Sequence, residues 1–424
     1  MREFSVVLLV LSALVPVILA YKDSDRIYQL PFLYSMAVLV YILPTLFGVI
    51  NDSAVISDAD YIRYCLFSTV CFWSALIGYY SFYNNSKIKR VTVYAYDIDK
   101  WSRFLYVIMF SGFIAVAVLG SYDQTDRYGG AYAVLLYPAR CLRPATIMLL
   151  VLYLLKPSKD RLAFLILSLL FSLKIIIIDG RRSEVFNLFI TIAFPLFFIK
   201  GIKMPKAFIA PAIVGAIVVF IFLPAYRNYS LKGDFSSVAT LSPTALLQSY
   251  VAGGSTNEVI EAARNMEAAD NSGKYNYGST VYNVFVFQYA ASSFFGKEFK
   301  ESLLIPQNLD LQKLRDKTAK YGGDEYRNYL APTGFAAVFF EFGYAGCLLF
   351  FFFGYLAKKY YVRANLKSDI SALIFYCFFA TFILFSIYDS MMYIPTNIIL
   401  YLLVFWGAKK YSRKRNTTLI ANQV

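Results

Sequence analysis

The chain has 424 residues, of which 58% are hydrophobic and 16% charged; its mean hydropathy is +0.53 and its net charge +14. A soluble domain of this length cannot bury so much apolar surface, so the composition excludes one and points to a polytopic membrane protein. Histidine is absent, which removes the usual general base and the commonest metal ligand together.

Apolar stretches long enough for single helical spans fall near 4–20, 31–50, 62–83, 104–120, 133–155, 162–178, 185–199 and 207–224. Three more follow near 333–356, 370–388 and 394–408, giving an all-α membrane protein with about eleven transmembrane helices. The chain then divides into membrane helices over 1–224, one large outer loop over 225–332, and membrane helices with a basic tail over 333–424. No small-residue cleavage site follows Ala20, so a cleaved signal peptide is not expected.

Basicity follows topology. The segments 84–103, 156–161, 200–206, 358–367 and the tail from Lys409 are rich in lysine, whereas 51–61, 121–132, 180–184 and 389–393 are nearly free of it. The positive-inside rule therefore places the C-terminus in the cytoplasm and the loop 225–332 outside. That loop holds 11 basic and 11 acidic residues. The net charge is thus no signal for nucleic acid.

Within the loop, Ser255-Thr256-Asn257-Glu258 has the spacing of a capping box and predicts a short helix near 256–269. The aromatic, polar stretch 275–289 fits the membrane interface or a re-entrant segment. A charged helix is expected near 309–320. A loop this long in a compact protein is usually functional, and this one reads as a lid over a half-lipid, half-polar substrate. All five cysteines lie inside spans without metal-ligand spacing and read as packing residues.

The basic residues differ in kind between the two faces. The inner segments carry 15 Lys and 7 Arg, while the short outer loops and membrane interior carry Arg2, Arg63, Arg127, Arg140, Arg143, Arg181 and Arg182, with Lys174 the exception. Charge within a membrane reads first as a functional site. The guanidinium fork grips phosphate bidentately, as a lysine point charge does not. The pattern predicts an outward pocket for a lipid-linked phosphate or diphosphate.

Arg140 and Arg143, three apart, share one helix face between Pro138 and Pro144, which are expected to loosen the helix there. They lie deep for snorkelling cations. Gly180-Arg181-Arg182-Ser183-Glu184 is a tight outer turn combining backbone N–H groups with guanidinium forks, an arrangement suited to an anion or to an ordinary surface turn. Glu341, inside the ninth span, needs a partner, for which the span-five arginines are the expected choice. Arg127, Arg227, Arg264 and Tyr282 complete the candidate substrate-binding set. Asp58-Ala59-Asp60 in the first outer loop is an acidic pair of the kind that holds a metal, though such triplets are common in exposed loops.

Taken together, Gly180-Arg181-Arg182-Ser183, Pro224-Ala225-Tyr226-Arg227 and Pro332-Thr333-Gly334 through Glu341-Phe342-Gly343-Tyr344-Ala345-Gly346 resemble the O-antigen or oligosaccharide repeat-unit polymerase family, the Wzy-type polymerases. The resemblance implies a GT-C-like polymerase/ligase architecture in the bacterial inner membrane. It also implies a cofactor-free glycosyltransferase that polymerises undecaprenyl-diphosphate-linked oligosaccharide, helped by a chain-length-regulating co-polymerase. The related ligases use a histidine in the large loop, and this chain has none. The catalytic set is then Arg140, Arg143, Arg181, Arg182 and Glu341, with Asp179, Glu184 and Glu341 all open as general base. Two other readings stand beside it: a flippase or exporter of the same lipid-linked glycan, and a metal-dependent GT-C glycosyltransferase using Asp58 and Asp60.

Overall fold

The computed structural model describes residues 1–50, 56–81, 96–119, 134–178, 182–230, 242, 258–290, 296–309, 333–365, 370–388 and 393–412. Every regular element among them is a helix. They run α1 (Arg2–Lys22), α2 (Leu30–Ala37), α3 (Leu43–Val49), α4 (Asp58–Ser81), α5 (Ile98–Leu119), α6 (Leu136–Leu155), α7 (Lys159–Ile177) and α8 (Arg182–Pro195). There follow α9 (Ile209–Ser230), α10 (Glu258–Ser272), α11 (Ser279–Tyr289), α12 (Lys297–Ser302), α13 (Gly334–Phe342), α14 (Cys347–Asn365), α15 (Ile370–Tyr388) and α16 (Tyr393–Ser412).

Nine helices among the described residues are long and apolar enough to cross a membrane, against the eleven expected. The two stretches that fall short do form helices, α7 and α16. Polar content separates them from the others: α7 carries Lys159, Asp160, Arg161 and Lys174, and α16 carries Asn397, Lys409 and Lys410. The charges lie in the first and last turns, so they lower the apolarity of each helix without shortening it.

Proline shapes one span and leaves another intact. Pro44 has no N–H to donate to the carbonyl four residues back and its ring clashes with that carbonyl, and α2 passes into α3 through one wide turn at Val38–Ile42 that absorbs the misfit. Pro144 is different: α6 runs unbroken through it. The ninth span is broken outright. Gly343 takes φ +57° between α13 and a tight turn at Gly343–Gly346, and a Cβ there would meet the Tyr275 ring at 2.7 Å. Only glycine fits both demands.

The centre of the bundle is the crossing of α4 and α14. A Cβ on Gly78 would lie 2.0 Å from the Phe351 carbonyl, and one on Gly354 2.0 Å from that of Ala75. The two backbones touch there, as small residues permit in membrane helices. Around this pair pack α1, α2, α13 and α15. Helices α5, α6, α7, α8 and α16 form a second group joined to it through α15.

Chain alternation and contacts gather the lysines at one end. Asp99 pairs there with Lys156 (2.6 Å) and Arg161 (2.5 Å), Asp97 N–H donates to the Ser412 carbonyl, and Lys203 pairs with Asp25 (2.7 Å). The opposite end carries the starts of α1, α4, α6, α8 and α13, and with them the arginines.

Candidate functional site

At that arginine-bearing end, α5, α6, α7, α8, α15 and α16 enclose a cavity of about 610 Å³. This is within the range of small-ligand sites. Its lining falls into two layers. Nearer the helix ends lie Arg140, Arg143, Lys174 and Glu184; about one or two turns deeper lie Thr146, Ser168, Asn187, Thr191 and Tyr401. Apolar walls come from residues such as Val116, Leu119, Phe382 and Phe385.

The charged layer follows from helix register. Arg140 and Arg143 share a face of α6, and Lys174 sits in the last turn of α7, which runs the other way. The one lysine that departs from the outer-face arginine pattern therefore joins the arginine pair. Arg143 forms an ion pair with Glu184, and its guanidinium lies 5.9 Å from the Phe385 ring centroid. Arg140 Nη1 donates to Gln288 Oε1 of α11 at 3.2 Å, while Tyr137 hydroxyl donates to the Gln288 carbonyl at 2.8 Å. The end of α11 is thus latched beside the cavity mouth by a neutral amide, a weaker partner for a guanidinium than a phosphate would be.

In the deeper layer Thr146 returns its hydroxyl to the Leu142 carbonyl at 2.8 Å and meets Ser168. Asn187 is left over. It is 3% exposed, lines the cavity, and its Nδ2 has no hydrogen-bond partner among the described residues. A buried donor left unmade costs about 1–3 kcal/mol.

Glu341 does not join the arginines. Its carboxylate accepts from Gly278 N–H at 2.6 Å, and the carbonyls of Phe340 and Glu341 accept from Asn276 (3.0 Å) and Tyr277 (2.9 Å). The break at Gly343 frees these groups, and the loop segment before α11 docks on them. Glu341 is therefore a cap that seats the N-terminus of α11. The expected pairing with span five fails because a nearer set of backbone donors satisfies the charge.

Asp58 and Asp60 point to different partners. Arg2 Nε lies 2.7 Å from Asp58 Oδ1, whereas Arg63 bridges Asp60 (2.8 Å) and Asp270 of α10 (3.2 Å). Burial, then the neighbouring Asp60, pushes the Glu267 carboxyl above its ordinary range. Arg264 belongs with this α4–α10 cluster, acting on Glu267. Tyr282 is exposed on α11 and, like Arg264 and Glu341, is not part of the cavity lining. Arg127, Arg181 and Asp179 lie outside the described residues. So does the helix expected over 309–320, from residue 310 onward. Arg182 opens α8 and Arg227 lies near the end of α9, their backbones alone being described.

Sequence reasoning found the arginine pair but missed Asn187, Thr191 and Tyr401. The signal available was the spacing Glu184, Asn187, Leu188, Thr191, which puts three polar side chains on one face of an otherwise apolar helix. Comparisons with protein families, with curated proteins and with solved structures return no match for this chain.

Proposed function

We propose that this protein polymerises oligosaccharide repeat units carried on a polyprenyl diphosphate at the outer face of the bacterial inner membrane. The observation that supports it most is the convergence of Arg140, Arg143 and Lys174 on one cavity between membrane-spanning helices. Three cations against one carboxylate, Glu184, leave the cavity net positive, and with its apolar walls it matches a ligand that is anionic at one point and lipid elsewhere.

The chemistry demands little more. In the proposed reaction a hydroxyl of one lipid-linked repeat displaces the diphosphate from the anomeric carbon of another, and the growing glycan moves onto the acceptor. Diphosphate is a competent leaving group, so the main requirement is to stabilise the charge it gains as the glycosidic bond breaks. Guanidinium groups lining the cavity supply that stabilisation. Neither histidine nor a paired-carboxylate metal site is required, and the arginine partners of Asp58 and Asp60 fit that reading. The α11 contact on Arg140 is displaceable by a phosphate, which frees that guanidinium for the substrate.

Deleting the protein from its native strain tests the reading. The banding of surface polysaccharide is expected to collapse from a ladder to a single repeat. Loss of every repeat would instead indicate export of the lipid-linked unit.

A further inference from the structure

Of the two described acidic residues open as general base, Glu184 and Glu341, the geometry singles out one. Glu184 is the only carboxylate among the described residues lining the cavity, and its side chain is 12% exposed. Glu341 is committed to the backbone of Gly278. On α8, Glu184 and Asn187 are three residues apart and share the cavity face, with Cβ atoms about 5–6 Å apart. One offers an acceptor and the other an unpartnered buried donor, Asn187 Nδ2. That combination is complementary to a hydroxyl, which must give a proton and receive a hydrogen bond.

We propose that Glu184 and Asn187 form the acceptor-hydroxyl site of the polymerase reaction, with Glu184 the general base; the proposal rests on the polymerase reading above. Asn187 Nδ2 donates to the acceptor oxygen and orients it. As that oxygen bonds to the anomeric carbon of the donor, its proton passes to the Glu184 carboxylate. The carbon–oxygen bond to the diphosphate breaks, and its electron pair leaves with the diphosphate. Arg143, now paired with Glu184, is the hinge of the exchange. Drawn toward the departing diphosphate alongside Arg140 and Lys174, it leaves Glu184 free to take the proton. This arrangement also gives a buried donor its missing partner, which apolar packing would not.

The test uses the purified full chain in liposomes with the lipid-linked oligosaccharide that accumulates in cells lacking it. Glu184→Gln keeps the shape and removes the base, so kcat is expected to fall at least about a hundredfold with KM within about threefold, as for loss of general-base catalysis. If Glu184 only positions Arg143, the fall in kcat is no larger than the roughly tenfold expected for Arg143→Lys and the acidic limb of the kcat–pH profile survives in Glu184→Gln, and the proposal is overturned. Retention of kcat within threefold overturns it as well. Asn187→Ala decides the matter independently should Glu184→Gln fail to fold. Its kcat is expected to fall about tenfold, the loss of one hydrogen bond, while its melting temperature stays level or rises because an unsatisfied donor has gone. Lower stability with kcat intact would make Asn187 a packing residue and overturn the hydroxyl site. A wild-type protein that extends nothing brings down the polymerase reading itself, and this proposal with it, whereas an active wild type with an active Glu184→Gln brings down this proposal alone.

Discussion

Replacing Arg143 by lysine separates a phosphate grip from a snorkelling cation. The guanidinium ion-pairs with Glu184 through Nη2, lies over the Phe385 ring, and faces Tyr401. A lysine at this position keeps the charge and still reaches Glu184, but it has no second, fixed N–H to offer a diphosphate. The loss is about one charge-assisted hydrogen bond, roughly 1.5–3 kcal/mol, or about ten- to a hundredfold in turnover. Because the Arg143 side chain is 31% exposed, solvent screens part of this and the expectation sits near tenfold. The same change at Arg140 trades a contact to a neutral amide, Gln288, so it too probes the grip rather than a structural ion pair. The assay is the rate of ladder formation in a deletion strain complemented to equal membrane levels. Wild-type rates from both lysine variants would show that these residues serve only topology and refute the diphosphate pocket.

Three further outcomes are expected. Gly354→Ala and Gly78→Ala should abolish or severely reduce folded yield, because each Cβ would lie 2.0 Å from a facing carbonyl, whereas Gly215→Ala, with nothing within 4 Å, should be silent or slightly stabilising. The folded state holds the Glu267 proton more tightly than the unfolded chain does, so its contribution is full below the ordinary glutamate value and is lost as pH rises through the raised one. Amide exchange in Glu258–Ser272, corrected for its intrinsic pH dependence, should accelerate as pH rises through that window, and Glu267→Gln should remove the dependence while Asp60, Arg63, Arg264 and Asp270 remain. Polymerisation should survive EDTA; inhibition reversed by a divalent ion would favour a metal-dependent transfer instead.

The sequence carried the helices and the arginine pair, because apolar length and i, i+3 spacing are local properties. It also marked Lys174 as the lysine out of place, though only the antiparallel run of α7 beside α6 says why. Two things were not legible. Asn187 and Thr191 look like ordinary minor polarity until α8 is known to turn that face to a cavity. Glu341 looks like a partner for arginine because a sequence does not announce that Gly343 will break the helix and bring Asn276–Gly278 to it. In each case the missing information is which elements face one another, not which element forms.

The most direct measurement reconstitutes the purified protein in liposomes with a single species of polyprenyl-diphosphate-linked repeat and resolves the products by size. The account predicts a ladder of lipid-linked oligomers with release of polyprenyl diphosphate. Recovery of the single repeat unchanged, with the protein folded, would contradict it.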